Sequence, residues 1–453
     1  MGSLAPRIAA VLLAVACIAP LHAQTHDAIH YKPFSFSILE DYDKDEDLAQ
    51  VEADFLLFRE LGIRTWRGSF GWDDYEPERG VYDFEWLHRF AELAARHGIA
   101  LRPYIGYTPA WAAAPGGEDA APWNNPPARL EDWSRFVAAL AAALDRHDNL
   151  LSFEIYNEQN SPMWWDGSAR EYAHVLSQAS CAIRAERSER RVLVGGITYP
   201  DVSWLETVCA KARDAFDVLP LHAYPETWPP DAEVETWLDL DAPGSFHTRF
   251  LASADRQCGT RPVWINETGF ATTPGRASER DQANWWARAI ATFAADPRIE
   301  HVGIYEIKDR PLTADVIGEP ENHFLGLTYP DRKKKLAFHT VRRLVSLMDT
   351  GIIGVADDAS TVEVIAGRAG ELYHHVFIRP DGRQVVFLWD KRGTPVLELR
   401  LPHTGEAATE YRLDGSGAAY LDFDRRTLRN VRLTPGEVRV FAIGPAQAGQ
   451  PTR

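Results

Sequence analysis

The sequence is poor in cysteine. It holds four cysteines, and the three that lie beyond residue 23 are Cys181, Cys209 and Cys258, with no CxxC spacing among them. This pattern predicts neither a cysteine metal site nor a disulfide-rich scaffold. One bridge between Cys209 and Cys258 and three buried free thiols are both compatible with it.

Positive charge is also scarce. Lysine and arginine number 48 against 65 aspartate and glutamate residues, which gives a formal net charge of −17, and no basic tract interrupts this composition. Phosphate backbones and anionic membranes are bound through clusters of lysine and arginine. We therefore expect neither nucleic acid nor a membrane surface as a partner.

Only the start of the chain carries a long apolar run. Residues 8–19 are apolar, follow Arg7, and lead through Pro20 to Ala23. Because a bilayer span needs about 20 apolar residues, residues 1–23 are predicted to be a secretory signal peptide rather than a membrane anchor. The expected protein is exported, periplasmic or secreted, and has no membrane span once the signal is removed.

From about residue 34 the chain alternates short apolar runs with longer amphipathic ones. The predicted strands are 34–39, 63–70, 100–107, 151–156, 191–197, 216–222, 262–266 and 301–307, and helices such as 83–97, ended by Gly98, lie between them. Eight βα units predict an α/β fold, a (β/α)8 TIM barrel over residues 24–350. An open doubly wound sheet is the alternative, disfavoured because no GxGxxG or GxxxxGK[ST] loop follows a strand.

Beyond residue 351 the helical period is lost. Short alternating runs at 362–365, 373–378, 384–389, 396–401, 409–413 and 438–443 are separated by turns such as Pro380-Asp381-Gly382. They predict a C-terminal antiparallel β-sandwich domain over residues 351–445, followed by a disordered tail at 446–453. We expect a structural role for this domain.

Two glutamates stand at the ends of predicted strands. Glu158 follows the fourth strand and Glu267 follows the seventh. Active centres of such barrels lie at the carboxyl ends of the strands, so both carboxylates are expected at one mouth. At a separation of about 5 to 5.5 Å, one can protonate a glycosidic oxygen while the other attacks the anomeric carbon. For either glutamate alone, a helix cap or a solvated loop side chain is the commoner explanation.

The whole array of motifs resembles the clan A retaining glycoside hydrolases, and family 39 in particular. It comprises Asn157-Glu158, Glu267, GIRTWRGSFGW at 62–72, Glu76-Pro77, GVYD at 80–83 and GYTPAW at 106–111, and the resemblance covers roughly residues 34–345.

The resemblance implies a role for each matching residue. Glu158 is the expected acid/base, Glu267 the nucleophile, and Asn157 the amide that binds the hydroxyl beside the anomeric carbon. Arg67 is expected to hold the nucleophile charged, with a surface ion pair as the alternative. His222 and Tyr224 are expected to line the same cleft, although a histidine at this place is as often a core residue.

The eighth strand departs from many clan A enzymes. It ends in Tyr305-Glu306-Ile307-Lys308-Asp309, where many of those enzymes carry a tryptophan. Within family 39 this form resembles the bacterial exopolysaccharide glycosidases more than the β-xylosidases. Tyr305 and Glu306 are therefore candidate substrate-binding residues.

Tryptophan is common in the predicted loops at the barrel mouth. Trp111, Trp123, Trp164, Trp165 and Trp228 follow strands three, four and six. Indole faces stack on pyranose rings, which makes Trp111, Trp164 and Trp165 candidate substrate-binding residues. For any single tryptophan, packing against helix ends is the commoner explanation.

Other chemistries lack their motifs. Residues 41–52 place carboxylates at calcium-loop positions, but Glu46 stands where the glycine is needed, so we interpret the segment as an acidic start to the first helix. No histidine cluster predicts a catalytic metal, and no GxSxG elbow predicts serine chemistry. Neither a metal nor an organic cofactor is expected.

The sequence thus predicts a retaining glycoside hydrolase that cleaves β-glycosidic bonds of an oligosaccharide or polysaccharide by double displacement. Endo-acting cleavage of a bacterial exopolysaccharide is favoured, and an exo-acting β-xylosidase is the alternative. A catalytically silent polysaccharide-binding barrel is the alternative of another class. We expect a monomer.

Overall fold

The computed structural model describes residues 29–115, 121–187, 189–198, 201–228, 232–237, 250–316, 318, 320–356 and 362–444. The predicted signal peptide at 1–23 and the predicted tail at 446–453 lie outside these ranges, and both stay predictions.

Eight parallel strands close into a barrel. They are β1 (Ile29–Leu39), β2 (Thr65–Gly71), β3 (Ala100–Gly106), β4 (Ser152–Asn157), β5 (Arg191–Thr198), β6 (Leu219–His222), β7 (Val263–Thr268) and β8 (Ile299–Tyr305). Each pairs with the next, and β8 closes on β1 in a register that runs from Ser35 opposite His301 to Leu39 opposite Tyr305. This closure confirms the predicted (β/α)8 barrel and excludes the open sheet.

Helices surround the barrel. They are α1 (Leu48–Leu61), α2 (Trp72–Tyr75), α3 (Glu85–Arg96), α4 (Leu130–Asp145), α5 (Ala169–Glu186), α6 (Val202–Ala212), α7 (Val234–Trp237), α8 (Ala252–Cys258), α9 (Glu279–Ala295) and α10 (Leu336–Met348). None of the helices in the described ranges combines the length and the apolar character that a membrane crossing needs.

The helix ends follow local sequence signals. Helix α5 begins with a capping box in which Ser168 and Glu171 satisfy each other's backbone N–H groups. Gly98 follows α3 with φ of 66°, a conformation that favours glycine, and so confirms its prediction as a helix stop. Asp47 is the N-cap of the first helix and accepts from Ala49 N, and the first turn of this helix holds no acidic residue. The preceding acidic residues stay in the loop after β1, which corrects the interpretation of the whole segment as a helix start.

Ten further strands are antiparallel. They are β9 (Gly351–Ala356), β10 (Glu363–Ala366), β11 (Leu372–Ile378), β12 (Gln384–Asp390), β13 (Val396–Arg400), β14 (Ala407–Tyr411), β15 (Gly417–Ala419), β16 (Phe423–Asp424), β17 (Thr427–Arg432) and β18 (Arg439–Gly444). One group forms the sheet β15-β14-β18-β12-β11-β9, and the other forms β10-β13-β17-β16. The predicted antiparallel strands are therefore present.

The antiparallel region is continuous with the barrel. The first half of β1, from Ile29 to Phe34, pairs with β9 and thereby joins the larger antiparallel sheet to the barrel sheet. Apolar side chains from both antiparallel sheets share one buried cluster that includes Leu388 and Leu399. Because β1 belongs to both sheets, a separate β-sandwich domain with a boundary near residue 350 stays a prediction.

A disulfide joins Cys209 of α6 to Cys258 of α8. Their Cα atoms lie 5.1 Å apart, and 49 residues separate them in sequence. Cys181 is a free, exposed thiol. The structure thus selects the single bridge over three free thiols.

Candidate active site

Two carboxylates meet at the carboxyl ends of β4 and β7. Glu158 follows the last residue of β4, and Glu267 lies inside β7, which extends two residues beyond its predicted end. His222, the last residue of β6, lies between them, with its Nδ1 2.7 Å from Glu158 Oε1 and 3.5 Å from Glu267 Oε2. One ligand atom of each of the three side chains lies within 4.8 Å of the others. Glu158 and Glu267 therefore face one shared space.

The backbone at the end of β4 is strained. Tyr156 and Glu158 have φ values of 61° and 43°, in the left-handed region that non-glycine residues rarely adopt. Such strain concentrates at functional sites because the surrounding structure must enforce it.

Arg67 of β2 organises the floor of the site. It is 2% exposed, and its Nη1 donates to Glu267 Oε2 at 2.8 Å. Its Nε and Nη2 bind both oxygens of Glu154 at 2.9 and 2.8 Å, and Nη2 also donates to Asn157 Oδ1 at 2.9 Å. The alternative of a surface ion pair is excluded, because Arg67 is buried and joins two carboxylates.

Glu154 is a site residue that the sequence analysis missed. It is 2% exposed and accepts further hydrogen bonds from Gly196 N at 2.8 Å and from Asn266 Nδ2 at 2.9 Å. The sequence contained a signal for this residue, because Glu154 lies inside an apolar strand. A glutamate in a buried strand needs hydrogen-bond donors or a cation beside it. Arg67 of β2 is that cation.

Glu267 sits in a buried, donor-rich environment. Tyr224 donates its hydroxyl to Glu267 Oε1 at 2.7 Å, so each carboxylate oxygen accepts one strong hydrogen bond. Burial raises the pKa of the Glu267 carboxyl above its ordinary value, and the charge of Glu158 adds to this. His222, Arg67 and Tyr224 lower the pKa and offset part of the rise. The charged form of Glu267 therefore depends on these three neighbours.

Replacing Tyr224 by phenylalanine is expected to move the acidic limb of the kcat/KM profile to higher pH. The hydrogen bond from Tyr224 lowers the pKa of Glu267, so its loss raises that pKa and leaves less carboxylate at any given pH. A hydrogen bond to a charged group is worth about 1.5 kcal/mol or more, which corresponds to a shift of about one pH unit. A pH series on both proteins measures the shift, and an unmoved limb contradicts it.

His222 has a defined orientation. It is 3% exposed, and Arg67 Nη2 lies 3.3 Å from its Nε2. A carboxylate oxygen can only accept, so Nδ1 carries the hydrogen that His222 donates to Glu158 Oε1 at 2.7 Å. His222 thereby holds Glu158 in place while the other oxygen of Glu158 is left for a proton.

Gly196 of β5 leaves the space that His222 occupies. A Cβ atom on Gly196 would lie 2.0 Å from His222 Nε2. Gly196→Ala is therefore expected to displace the imidazole and to lower kcat/KM by about 100-fold, since a misplacement of roughly 1 Å has an effect of this size. Steady-state kinetics measure it. The matched control is Gly370→Ala in the antiparallel region, where the nearest atom would lie at 3.3 Å and activity should not change.

The two glutamates line a cleft of about 690 Å³ at the barrel mouth. Trp164 from the loop after β4, Trp228 from the loop after β6 and Tyr305 at the end of β8 contribute aromatic surface to it. Its polar lining includes Asp41, Asp43, Arg276, Arg310, Asp315, Glu321 and Asn322. The cleft therefore combines aromatic faces with hydrogen-bonding groups, as sugar sites do.

The structure brings some of the predicted tryptophans to the cleft and not others. Trp164 and Trp228 line it. Trp165 is 2% exposed and packs against Tyr156 and Tyr172 in the core. Trp111 donates its indole N–H to the backbone oxygen of Glu76 at 2.9 Å and does not line the cleft. Both side chains pack against protein, so their prediction as substrate-binding residues is corrected.

Glu306 also turns away from the cleft. It is fully buried, and burial raises the pKa of its carboxyl to about 8. Its Oε2 accepts from Arg310 Nε at 3.0 Å. Arg310 is the residue of this pair that reaches the cleft, and the sequence analysis did not select it.

The triad of Glu158, His222 and Glu267 has the donor types of a cation site. Both oxygens of Glu267, however, already accept from Arg67 and Tyr224. A cation at this place would lie beside the buried positive charge of Arg67, which disfavours it electrostatically. The arrangement therefore fits organic acid/base chemistry better than metal binding.

Comparisons with known proteins agree with this architecture. The family model for the β-galactosidases of glycoside hydrolase family 42 matches residues 42–121. The β-galactosidase BgaB of Geobacillus sp. (strain Y412MC61) is 30% identical over 108 residues, which is 20% of this chain and 16% of that relative's length.

Solved structures match over most of the chain. A family 39 glycoside hydrolase from Bacteroides cellulosilyticus WH2 has a TM-score of 0.66 at 17% identity, with 91% of this chain and 81% of that chain covered. A family 30 endoxylanase from Clostridium papyrosolvens C71 has a TM-score of 0.64 at 13% identity, with coverage of 92% and 98%. A family 39 β-xylosidase from Caulobacter crescentus has a TM-score of 0.63 at 16% identity, with coverage of 91% and 96%. The predicted resemblance to clan A glycoside hydrolases of the family 39 type is confirmed for the fold.

Proposed function

We propose that this chain, whose fold is that of the clan A glycoside hydrolases, is a retaining β-glycoside hydrolase. The observation that carries the proposal is the approach of Glu158 and Glu267, whose nearest carboxylate oxygens lie within 4.8 Å across one cleft. Retaining enzymes hold their carboxyl groups about 5 to 5.5 Å apart, whereas inverting enzymes need about 6.5 Å or more to fit a water. The short separation favours retention.

The reaction proceeds in two displacements. Glu267 attacks the anomeric carbon as Glu158 gives a proton to the departing glycosidic oxygen, which forms a covalent glycosyl ester on Glu267. Glu158, now ionised, takes a proton from a water that attacks the same carbon and releases Glu267. Each displacement inverts the anomeric carbon, so the product keeps the β configuration.

The two displacements require an ionised nucleophile and a sugar held in position, and residues of the site provide both. Arg67 and Tyr224 donate to the two oxygens of Glu267 and thereby favour the ionised nucleophile. Asn157 uses its Oδ1 to accept from Arg67, so its amide N–H groups are left for a hydroxyl beside the anomeric carbon. The hydroxyl that Asn157 binds belongs to the sugar unit whose anomeric carbon Glu267 attacks.

The substrate proposed for this site is a β-linked oligosaccharide or polysaccharide. A cleft of about 690 Å³ with Trp164 and Trp228 in its walls supports binding of more than one sugar unit. We therefore favour internal cleavage of an exopolysaccharide, and removal of single terminal xylose units is the second candidate. The Cys209–Cys258 disulfide supports an exported location, because such bridges persist in oxidising compartments.

Covalent trapping tests the proposal. A panel of 2-deoxy-2-fluoro aryl β-glycosides slows the second displacement, so the enzyme should accumulate a glycosyl adduct. Mass spectrometry of the digested protein should place the adduct on Glu267, and NMR of early products should show the β anomer. An α product, or an adduct on another residue, overturns the proposal. Turnover should persist in a chelator, since no step uses a metal.

The length of the products separates the two substrate candidates. Internal cleavage of a polysaccharide gives a range of oligosaccharides early in the digest, whereas terminal removal gives single sugars throughout. A silent binding barrel would bind saccharides without turnover, and Glu267→Ala would then leave every rate at the level of the wild type.

A further inference from the structure

Asp41 lines the cleft, and one of its two carboxylate oxygens is held by hydrogen bonds from the protein. It follows β1, is half-buried and lines the cleft beside the catalytic glutamates. Its Oδ1 accepts from Ser69 N at 3.0 Å and from Tyr104 OH at 2.8 Å. Its Oδ2 makes no hydrogen bond and no ion pair to any residue that the structure describes. A fixed carboxylate oxygen is therefore available as an acceptor in the cleft.

Arg310 provides the complementary donor. It follows β8, and β8 is the neighbour of β1 where the barrel closes, so the two loops lie side by side at the mouth. Arg310 lines the cleft, with its Nε bound to Glu306 Oε2 at 3.0 Å and its Nη2 3.8 Å from Glu40 Oε1. These contacts anchor one side of the guanidinium. Its remaining N–H groups are left for a ligand.

Asp41 is connected to the nucleophile through the ring of Tyr104. Tyr104, which holds Asp41, lies under the guanidinium of Arg67 at 4.8 Å, and Arg67 binds Glu267. Tyr305, at the end of β8, lines the same cleft, and its ring contacts that of Tyr224, which also binds Glu267, with 6.3 Å between centroids. Asp41 is thus connected to Glu267 through Tyr104 and Arg67, and Arg310 lines the same cleft.

We propose that Asp41 and Arg310 form a specificity pair that binds two neighbouring hydroxyls of the sugar unit attacked by Glu267. This inference rests on the proposed glycosidase function. One hydroxyl donates to Asp41 Oδ2 and its neighbour accepts from Arg310, which matches the ability of a sugar hydroxyl to play either part. The pair selects sugars with both hydroxyls free, because a carboxylate in place of the hydroxyl that donates to Asp41 would be repelled by Asp41.

Deoxygenated substrates test the pair. The substrate is the aryl β-glycoside that the wild type cleaves fastest, together with its 3-deoxy and 4-deoxy forms. A hydrogen bond between a hydroxyl and a charged group is worth about 1.5 to 3 kcal/mol, so one or both deoxy forms should lose about 10-fold or more in kcat/KM. Asp41→Asn, which turns the free oxygen into a donor, should lose as much on the parent substrate.

The decisive measurement is the loss in kcat/KM of each variant on the parent substrate compared with its loss on the deoxy substrates. On the deoxy form that lacks the partner hydroxyl, Asp41→Asn should lose less than about threefold, because the interaction is already absent. Arg310→Gln should show the same dependence for the neighbouring hydroxyl. A variant that loses the same factor on every substrate acts structurally, and that outcome overturns the inference. Glu92→Gln, an exposed carboxylate on α3, is the control of equal charge and should change nothing.

Binding keeps the test independent of turnover. An iminosugar of the same configuration and its deoxy forms are titrated into wild type and variants by calorimetry. Selective weakening that depends on the missing hydroxyl supports the pair even if no aryl glycoside is cleaved, an outcome that would count against the glycosidase proposal alone. Equal affinity of the parent and deoxy compounds overturns the pair.

Discussion

Glu267→Ala is expected to lower kcat/KM by about 10⁴-fold or more. The variant removes the nucleophile of the first displacement, and loss of a single group that acts covalently has effects of this size. Steady-state kinetics on an activated aryl β-glycoside measure the loss. Glu92→Ala, an exposed glutamate outside the cleft, is the control and should retain full activity.

A small anion distinguishes the two glutamates. Azide can occupy the space left by Glu267→Ala and attack the anomeric carbon in a single displacement, which gives the α-glycosyl azide. In Glu158→Ala the nucleophile remains, so azide attacks the covalent intermediate instead and gives the β-glycosyl azide. Activity in Glu267→Ala within tenfold of the wild type, or the same azide anomer from both variants, contradicts the assignment of roles.

The sequence was sufficient to predict the barrel and the meeting of two glutamates at its mouth. The strands of the barrel read as short apolar runs because they are buried on both faces, as the six buried residues of β4 show. Once eight such runs alternate with helices, the barrel puts the ends of β4 and β7 at one mouth. The meeting of Glu158 and Glu267 follows from topology, and local sequence is enough to locate them.

Contacts distant in sequence were harder to predict. The first half of β1 extends to Ile29 because it pairs with β9 more than 300 residues later, and no local pattern encodes that partner. The turn of Trp165 into the core depends on contacts that are nearer in sequence, with Tyr156 and Tyr172, but that form only when the loop after β4 packs. Composition placed this tryptophan in the correct loop, but its direction depends on the packing of that loop.

Buried charge was the signal that the sequence analysis used least. Glu154 and Arg67 are both charged residues within apolar strands, and each is buried in the barrel. Burial of either alone is costly, so the presence of both predicts that they pair. The same reasoning applied to Glu306, which is fully buried, would have predicted a nearby donor, and Arg310 is that donor.

Arg67→Met is expected to reduce the free energy of unfolding by about 3 to 5 kcal/mol. Arg67 is 2% exposed and pairs with two carboxylates, so its loss leaves Glu154 and Glu267 buried without a cation. Removing one partner of a buried ion pair typically has this effect, because the remaining charge stays desolvated. Denaturant titration measures the difference in free energy, with the slope of the transition compared between proteins.

The control for Arg67→Met is an exposed ion pair. Arg400, whose side chain is 47% exposed, pairs with Glu363 in the antiparallel region at 2.7 Å. Arg400→Met should therefore cost less than about 1 kcal/mol. Adding Glu154→Leu to Arg67→Met removes one of the two carboxylates that are left buried without a cation. The double variant should therefore recover part of the lost free energy of unfolding. If Arg67→Met is no more destabilising than Arg400→Met, then Glu154 and Glu267 do not need Arg67 to remain buried, and the electrostatic account of the site is wrong.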